Sequence, residues 1–513
     1  IARDIEIIKR ELPIDILEFT GEDDTLYADP RLKGLYEWMF AGAFTPQRTN
    51  PTFGDSDPSR ELEGLLGYMQ PYQAGRFSAA AGRNAAWLVR DVTPRAILPN
   101  YVLLDDTLAP EPPSSRVWDD AATFWEDGAS SASLQAALWN PRSSGTHSHK
   151  DVNAVHLCGY GKTLLRNSGY CGAGVGIDAT FDWDWVFTTA ESSNTLTLAG
   201  QDHADKAGGG IVEGLTSPGF DYAAGSSGPA LTNGEHTRSL VLVHGEPGRP
   251  GYFVLLDEID AEAPGAEARL ALHPESSSIT TQLARTDYES RVGVPGDEVV
   301  VTLFLGTEPS QVSILDGGLC AFDDNEFVGR YLEAVHETDS SGLASIVTLL
   351  VPHDALHPRP GLERITLAGT ASGARVLFAG GDVDVVLAAN SSAPVVLGPE
   401  SFLGRAAHFR RVQGELTQYF VRVGREFDDG GSQRVGFDSD ADVSLIVRGT
   451  EVRVRSVSGA TVAFHDPSIA GNHFATPVGS IVSSQPGRLE IDLLPGTHAF
   501  DLNTGALLAR EPD

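Results

Sequence analysis

The chain of 513 residues is poor in cysteine, in basic side chains and in long apolar runs. Its three cysteines, Cys158, Cys171 and Cys320, cannot form a disulfide framework, and Cys158 lies in a strand-like apolar run where a buried free thiol is common. No segment approaches the ~18 consecutive apolar residues that a membrane-spanning helix needs. Because the hydrophobic fraction of 41% is ordinary for a globular protein, we expect a soluble folded protein that does not act at a membrane.

Basic residues are outnumbered almost two to one. The chain has 37 Lys and Arg against 70 Asp and Glu, for a formal charge of −33. Such a surface repels nucleic acid and anionic membranes, so we expect neither as a partner. The interpretation that we favour for this charge is a device for solubility or salt tolerance.

The length and the first residues bear on domain number and origin. A chain of 513 residues is too long for one hydrophobic core, which predicts two or three domains. The start at Ile1-Ala2-Arg3-Asp4 lacks both an initiator methionine and a signal peptide. We therefore expect a trimmed or mid-protein start, which leaves secretion open.

Apolar periodicity predicts helices in the first part of the chain. Up to about residue 90, apolar residues recur every three or four positions, as at Leu32, Leu35, Trp38 and Met39. Residues 79–88 give a further amphipathic helix. This part is therefore predicted to be all-α.

After a stretch rich in Pro and Asp, the pattern changes to short runs of Val, Leu and Ile bounded by Gly, Pro, Asn or Asp, which favours antiparallel sheets. We predict an α+β multidomain fold with a helical segment (1–104), a linker (105–116), an antiparallel β-sandwich (117–370) and a C-terminal β domain (371–513). The Gly- and Ser-rich residues 207–234 are expected to form an irregular surface insertion.

The run Thr146-His147-Ser148-His149-Lys150-Asp151 is the most informative stretch. Two histidines one residue apart point the same way from an extended backbone. Imidazole exchanges protons near neutral pH and ligates metals, so the pair is a candidate site. The alternative is a pair of surface histidines in a polar loop.

Four segments together resemble the heparinase II/III-like superfamily of polysaccharide lyases. They are Gly54-Asp55-Ser56, the stretch from His147 to Gly169, the stretch from Ser193 to Gln201, and the stretch from Leu494 to Leu502. The resemblance implies the C-terminal part of an incomplete (α/α) toroid, followed by a large antiparallel β-sandwich and a smaller β domain. Only about a hundred residues precede the linker, so this chain would hold the last toroid helices.

The resemblance also implies an activity. Such lyases cleave uronic-acid-containing polysaccharides by β-elimination, and they are secreted or periplasmic in bacteria. The implied substrate is an anionic polysaccharide such as alginate, ulvan or a glycosaminoglycan, whose charge requires local cations on this acidic protein. Two alternatives remain open: a uronate epimerase of the same fold, and a non-catalytic carbohydrate-binding fragment.

Carried over residue by residue, the resemblance makes His147 the catalytic, sugar-facing histidine and His149 a zinc ligand. The family's other two zinc ligands are an Asp and a His, but the corresponding positions here hold Asn167 and Ser193. Carboxylate, imidazole and thiolate dominate around zinc, so we expect no required cofactor and no stoichiometric zinc. If zinc were bound, Asp178 and Asp182 would be the nearest carboxylates in the sequence.

Without zinc, His149 is expected to hydrogen-bond Asn167 or Asp151 as a supporting residue. Asp151 itself would orient a histidine or cap the strand entry. His156, in the middle of a strand, is expected to be a core histidine.

Substrate binding is assigned to Trp139, Arg142, Arg76 and Arg83, because an indole stacks on sugars and a guanidinium pairs with carboxylates. The family's catalytic tyrosine lies upstream of the residues present here. Its suggested stand-ins are Tyr170, to which we assign a catalytic role, and more weakly Tyr27.

Overall fold

The computed structural model describes most of the chain from residue 29 onward. The described residues are 29–42, 45–54, 56, 71–89, 109–126, 130, 132–145, 147–169, 185, 188–276, 278–281, 287–294, 296–320, 326–367, 369, 371–390, 393–471 and 479–504. Residues 1–28, 57–70 and 90–104 of the predicted helical segment lie outside this part. No described helix is long and apolar enough to cross a membrane.

The helical part contains α1 (Pro30–Glu37), a π-helical turn (Trp38–Gly42), α2 (Pro71–Phe77) and α3 (Ala79–Val89). Helix α3 confirms the amphipathic helix predicted over residues 79–88. Tyr36 stacks on Phe77 with ring centroids 4.3 Å apart. The same apolar cluster includes Trp125 of the β region, so the helices pack directly on a sheet.

The first six strands are short, and five of them form one antiparallel sheet in chain order, β1 to β5. They are β1 (Arg116–Val117), β2 (Ala121–Trp125), β3 (Gln135–Trp139), β4 (Ala154–Gly159), β5 (Lys162–Leu165) and β6 (Leu196–Leu198). Strands β2 and β4 are buried at every position, since the helices and the rest of the sandwich cover both faces.

Eleven further strands follow, and most of them are longer. They are β7 (Gly210–Ser217), β8 (Phe220–Ser226), β9 (Gly234–Val243), β10 (Tyr252–Ala261), β11 (Glu267–Leu272), β12 (Ile279–Thr281), β13 (Asp287–Val292), β14 (Val299–Leu305), β15 (Gln311–Cys320), β16 (Glu326–Glu337) and β17 (Leu343–His353). An eight-stranded sheet has the order β12-β13-β14-β17-β10-β9-β8-β7, and a four-stranded sheet has the order β15-β16-β11-β6.

These three sheets form a sandwich. A bridge between Leu165 and Pro274 connects the five-stranded sheet to the end of β11 in the four-stranded sheet. Leu138, Leu255 and Leu270, one from each sheet, share one buried core. The two smaller sheets therefore form one layer and the eight-stranded sheet forms the other.

The remaining strands form a thirteen-stranded sheet. They are β18 (Gly361–Thr366), β19 (Ser372–Leu377), β20 (Val383–Ala388), β21 (Val395–Leu397), β22 (Glu400–Leu403), β23 (Ala406–Val412), β24 (Glu415–Asp428), β25 (Gly436–Arg448), β26 (Glu451–Ser456), β27 (Ala460–His465), β28 (Gly479–Gln485), β29 (Arg488–Leu493) and β30 (Gly496–Asp501). A second apolar cluster, which includes Val254 and Phe420, packs this sheet on the outer face of the eight-stranded sheet.

Every strand pairing among the described residues is antiparallel, as the sequence predicts. One prediction is wrong: residues 207–234 are not an irregular insertion, because they contain the hairpin of β7 and β8. The described end of the linker packs on α3, where the Glu111 amide donates to the Arg83 carbonyl oxygen. The exact division into domains stays a prediction.

Candidate functional site

The histidine loop, residues 140–153, connects β3 to β4. Its backbone forms turns and bends, so the expectation of two histidines on one extended strand is wrong. His147 is exposed, whereas His149 is only 2% exposed. The loop therefore offers one imidazole to solvent and keeps the other inside the protein.

Gly54 of the helical part lies directly against this loop. Its φ of +55° is in the left-handed region that favours glycine. A Cβ at this position would lie 2.5 Å from the His147 carbonyl oxygen. The glycine of the Gly-Asp-Ser segment is thus needed for close approach to the backbone that carries His147.

Asp151 joins the same two segments. Its Oδ2 accepts a hydrogen bond from the Gly54 amide at 2.7 Å, and its side chain is buried. Burial raises the pKa of Asp151 to about 7, against the opposing effects of this hydrogen bond and of the positive charge of Lys206. Neither role expected for Asp151 from the sequence included this contact.

Asn167 and His156 bind Thr52, which lies two residues before Gly54. The Asn167 amide donates to Thr52 Oγ1, and Asn167 Nδ2 donates to the Thr52 carbonyl oxygen, each at 3.0 Å. The Thr52 amide donates to His156 Nδ1 at 3.3 Å. His156 is 1% exposed, and burial together with the charge of Arg166 lowers its pKa to about 3. His156 is a core histidine, as expected.

An aromatic face lies where the helical part meets the five-stranded sheet. Trp139 stacks on Phe53 with centroids 5.7 Å apart and an interplanar angle of 16°, and lies 6.0 Å from Trp38. Trp38 meets Trp118 edge-on at 5.1 Å. All four side chains are half-buried. Only Trp139 was a sequence candidate, because the other three rings come from separate segments.

Two predicted substrate arginines are already paired. Arg142 donates from Nε to Asp120 and from Nη2 to Asp119, at 2.8 Å in both cases. Arg83 donates to Glu111. A sugar carboxylate would have to displace these partners, so the geometry favours a structural role for both. Arg76 is in the last turn of α2 and is half-buried.

Two lysines that the sequence analysis did not select are Lys150, within the loop, and Lys206, whose charge acts on the loop residue Asp151. Lys150 forms an ion pair with Asp202 at 2.9 Å. Lys206 is half-buried and acts on Asp151 through its charge. The signal that could have identified Lys206 is weak, since it is more than fifty residues from the loop in sequence.

Several sequence candidates cannot be placed. Tyr27, Tyr170, Asp178 and Asp182 lie outside the described residues. The expected hydrogen bond from His149 to Asn167 or Asp151 stays a prediction.

The positions expected to bind zinc do not fit that ion. Asn167 Oδ1 accepts from the Asn194 amide at 2.7 Å and Nδ2 donates to Thr52, so the carboxamide is used within the protein. Ser193 is buried. Within the described part of the chain, no three His, Cys, Asp or Glu side chains are grouped to hold a metal.

A cavity of about 330 Å³ lies at the other end of β4, lined by Tyr160, His357 and Glu246 among others. Its acidic groups are engaged: Glu246 pairs with Arg448 at 2.9 Å, and Glu126 accepts from the Gly245 amide at 2.7 Å. The histidine loop is the better candidate for a catalytic site than this cavity, because it carries the exposed His147 and directly follows Trp139 of the aromatic face.

Comparison with known proteins agrees with this architecture. Residues 117–323 match the family model described as heparinase II/III-like, C-terminal. No curated protein matches the chain. This stretch is therefore similar to the C-terminal domain of heparinase II/III-like proteins, and it makes up less than half of the chain.

Solved structures of that superfamily share the fold. A heparinase III gene product is 14% identical, with a TM-score of 0.51, over 68% of this chain and 51% of its own. The heparan sulfate lyase HepC from Pedobacter heparinus is 14% identical, with a TM-score of 0.52, over 67% of this chain and 50% of its own. A further heparinase III structure is 14% identical, with a TM-score of 0.52, over 69% of this chain and 54% of its own. The chain thus spans about half the length of these structures.

Proposed function

We propose that the protein is a polysaccharide lyase that cleaves a uronic-acid-containing polysaccharide by β-elimination. The observation that carries the proposal is the exposed side chain of His147 on a loop that is held against Gly54 through the hydrogen bond from the Gly54 amide to Asp151. The likeness to heparinase III and heparan sulfate lyase structures supports the reaction class.

The reaction requires removal of the proton on the carbon next to the sugar carboxylate, breakage of the bond to the glycosidic oxygen, and protonation of that oxygen. His147 would take or return a proton at its ring nitrogen. Neutralisation of the sugar carboxylate makes the carbon-bound proton more acidic, and the ammonium group of Lys206 is a nearby cation that could do so. Trp139 would stack on a sugar ring.

The remaining roles come from the resemblance. Tyr170 is proposed as the second acid–base group, and Arg76 as a further substrate contact. The proposed enzyme is secreted or periplasmic, needs no metal, and is completed by toroid helices upstream.

The test is incubation with a panel of uronic-acid polysaccharides while absorbance is followed in the ultraviolet band of an unsaturated uronate. A lyase produces this absorbance, whereas an epimerase or a binding module does not. The protein tested should carry any helices encoded upstream. Absence of the band with every polysaccharide contradicts the proposal.

A further inference from the structure

A fully buried ion pair lies beneath the histidine loop. Arg238 on β9 and Asp257 on β10 are direct cross-strand partners in the eight-stranded sheet, and both are 0% exposed. Arg238 Nε donates to Asp257 Oδ1 at 2.7 Å, and Nη2 donates to Oδ2 at 3.2 Å. This is the two-pronged geometry in which a guanidinium binds a carboxylate most strongly.

The third nitrogen of Arg238 reaches both smaller sheets. Its Nη1 donates to the Asn153 carbonyl oxygen at 2.9 Å and to the Asn194 carbonyl oxygen at 2.6 Å. Asn153 ends the histidine loop just before β4, and Asn194 lies two residues before the start of β6. One guanidinium therefore connects all three sheets of the sandwich at the base of the loop.

Side chains extend this connection to both ends of the loop. His236 Nε2 donates to Asp257 Oδ1 at 2.7 Å, which leaves Nδ1 to accept from Asn153 Nδ2 at 3.5 Å. Asn153 Oδ1 accepts from Asn140 Nδ2 at 2.5 Å. Asn140 and Asn153 are the first and last residues of the loop, so its ends are bonded to each other.

Burial of such a pair is hard to explain by stability alone. Removing two charges from water costs several kcal/mol per ion, and apolar replacements of buried ion pairs are often equally stable. An apolar pair, however, could not hold the carbonyl groups of Asn153 and Asn194. The polar pair fixes the loop in one position.

We propose that Arg238 and Asp257 are positioning residues that set the location of His147. This inference rests on the proposed lyase function. His147 is the group that would meet the substrate, and the pair acts on it only through the backbone of the loop.

The test compares Arg238→Lys with Arg410→Lys. Lysine keeps the positive charge beside Asp257 but lacks the planar fork that reaches both carbonyl oxygens. Arg410 is the matched control, because it binds Asp384 through Nε and Nη2 at 2.7 Å, is equally buried, and lies in the thirteen-stranded sheet.

We expect kcat on the polysaccharide to fall about 10- to 100-fold in Arg238→Lys with KM within about threefold of the wild type. Both variants should lower the melting temperature by similar amounts. In Arg410→Lys, however, kcat should stay within about twofold of the wild type. Equal kcat losses in the two variants, or no loss in Arg238→Lys, would overturn the inference.

A second measurement does not depend on activity or on a lysine variant that folds poorly. Asn153 has φ of +60°, so Asn153→Gly keeps the backbone conformation but removes the contacts to Asn140 and His236. Hydrogen exchange of residues 147–153 should become faster in this variant and in Arg238→Lys, but not in Arg410→Lys. If loop exchange is unchanged in both variants, the positioning role is contradicted. If loop exchange is faster in both variants but the wild-type protein has no lyase activity, only the lyase assignment is contradicted.

Discussion

The Gly54 amide donates to the buried Asp151 carboxylate at 2.7 Å, although the two residues are 97 positions apart in the chain. This hydrogen bond fixes the helical part against the histidine loop of the β-sandwich. The site is therefore shared between two parts of the chain that the sequence separates by a linker.

Asp151→Ala should destabilise the protein. The substitution leaves the Gly54 amide without its acceptor in a buried place, which costs about 1–3 kcal/mol of unfolding free energy. Urea denaturation measures the change. Asp316→Ala, at an exposed side chain that pairs with Arg330, should cost about 1 kcal/mol or less. Equal effects of the two substitutions would argue against the buried contact.

Gly54→Ala tests the close approach at the loop. The new Cβ would lie 2.5 Å from the His147 carbonyl oxygen, so either the helical segment or the loop must move. Gly161→Ala is the matched control, because Gly161 also has positive φ but nothing lies within 4 Å of the place that its added methyl group would take. The control isolates backbone strain, which costs roughly 1 kcal/mol.

We expect Gly54→Ala to be the more destabilising of these two substitutions and to lower lyase activity at least about tenfold. Gly161→Ala should leave activity within about twofold of the wild type. Similar activity in both variants would show that the approach of Gly54 to His147 does not shape the site.

Buried histidines predict loss of stability in mild acid. The rings of His203 and His273 are held neutral, and burial lowers the pKa of each to about 4 from its usual 6.5. Between pH 6.5 and 4 the unfolded chain binds protons that the folded chain does not, so unfolding becomes more favourable as pH falls. Asp151 opposes this effect, because its raised pKa of about 7 makes the folded state bind one more proton.

His156 and His336, whose pKa values burial lowers to about 3 and about 4, act in the same direction, whereas Glu258 and Glu275, whose pKa values burial raises, act with Asp151. Because these four histidines outnumber the three carboxyl groups, the unfolding free energy measured in urea should decrease from pH 6.5 to pH 4.5.

His273→Phe keeps a ring that can stack on Tyr331 and should reduce the slope by up to ~1.4 kcal/mol per pH unit. A slope that is unchanged in this variant would mean that folding does not lower the pKa of His273.

Lys206→Gln should weaken the use of an anionic substrate. If this ammonium group faces the sugar carboxylate, its loss removes one charge-assisted contact, and kcat/KM should fall about 10-fold. Lys33→Gln, on α1 beside Glu37, is a control for total charge and should have little effect. Equal changes in both variants would indicate a general effect of net charge.

The sequence predicts the local structure of this protein better than its contacts. Spacing of apolar residues identifies α3, and short β-branched runs identify antiparallel strands. The hairpin of β7 and β8 escaped prediction because its many Gly and Ser residues resemble a loop, yet its register with neighbouring strands satisfies the backbone. Tertiary pairing here outweighs local propensity.

At the candidate site, too, the sequence indicates local features but not the contacts between distant residues. The motif draws attention to His147, but it cannot show that His149 is buried or that Arg142 is bonded to Asp119 and Asp120. Contacts such as Thr52 with Asn167 join residues more than a hundred positions apart. No local pattern encodes them.

The most direct test of the lyase proposal is the activity of His147→Ala on the polysaccharide that the wild-type protein cleaves. Because His147 is exposed, its loss should leave the melting temperature nearly unchanged, while removal of an acid–base group should lower the rate ~100-fold or more. His498→Ala, at a histidine on strand β30 far from the histidine loop in sequence, should match the wild type in both measurements. Full activity in a folded His147→Ala protein would contradict the account and favour a carbohydrate-binding role for the chain.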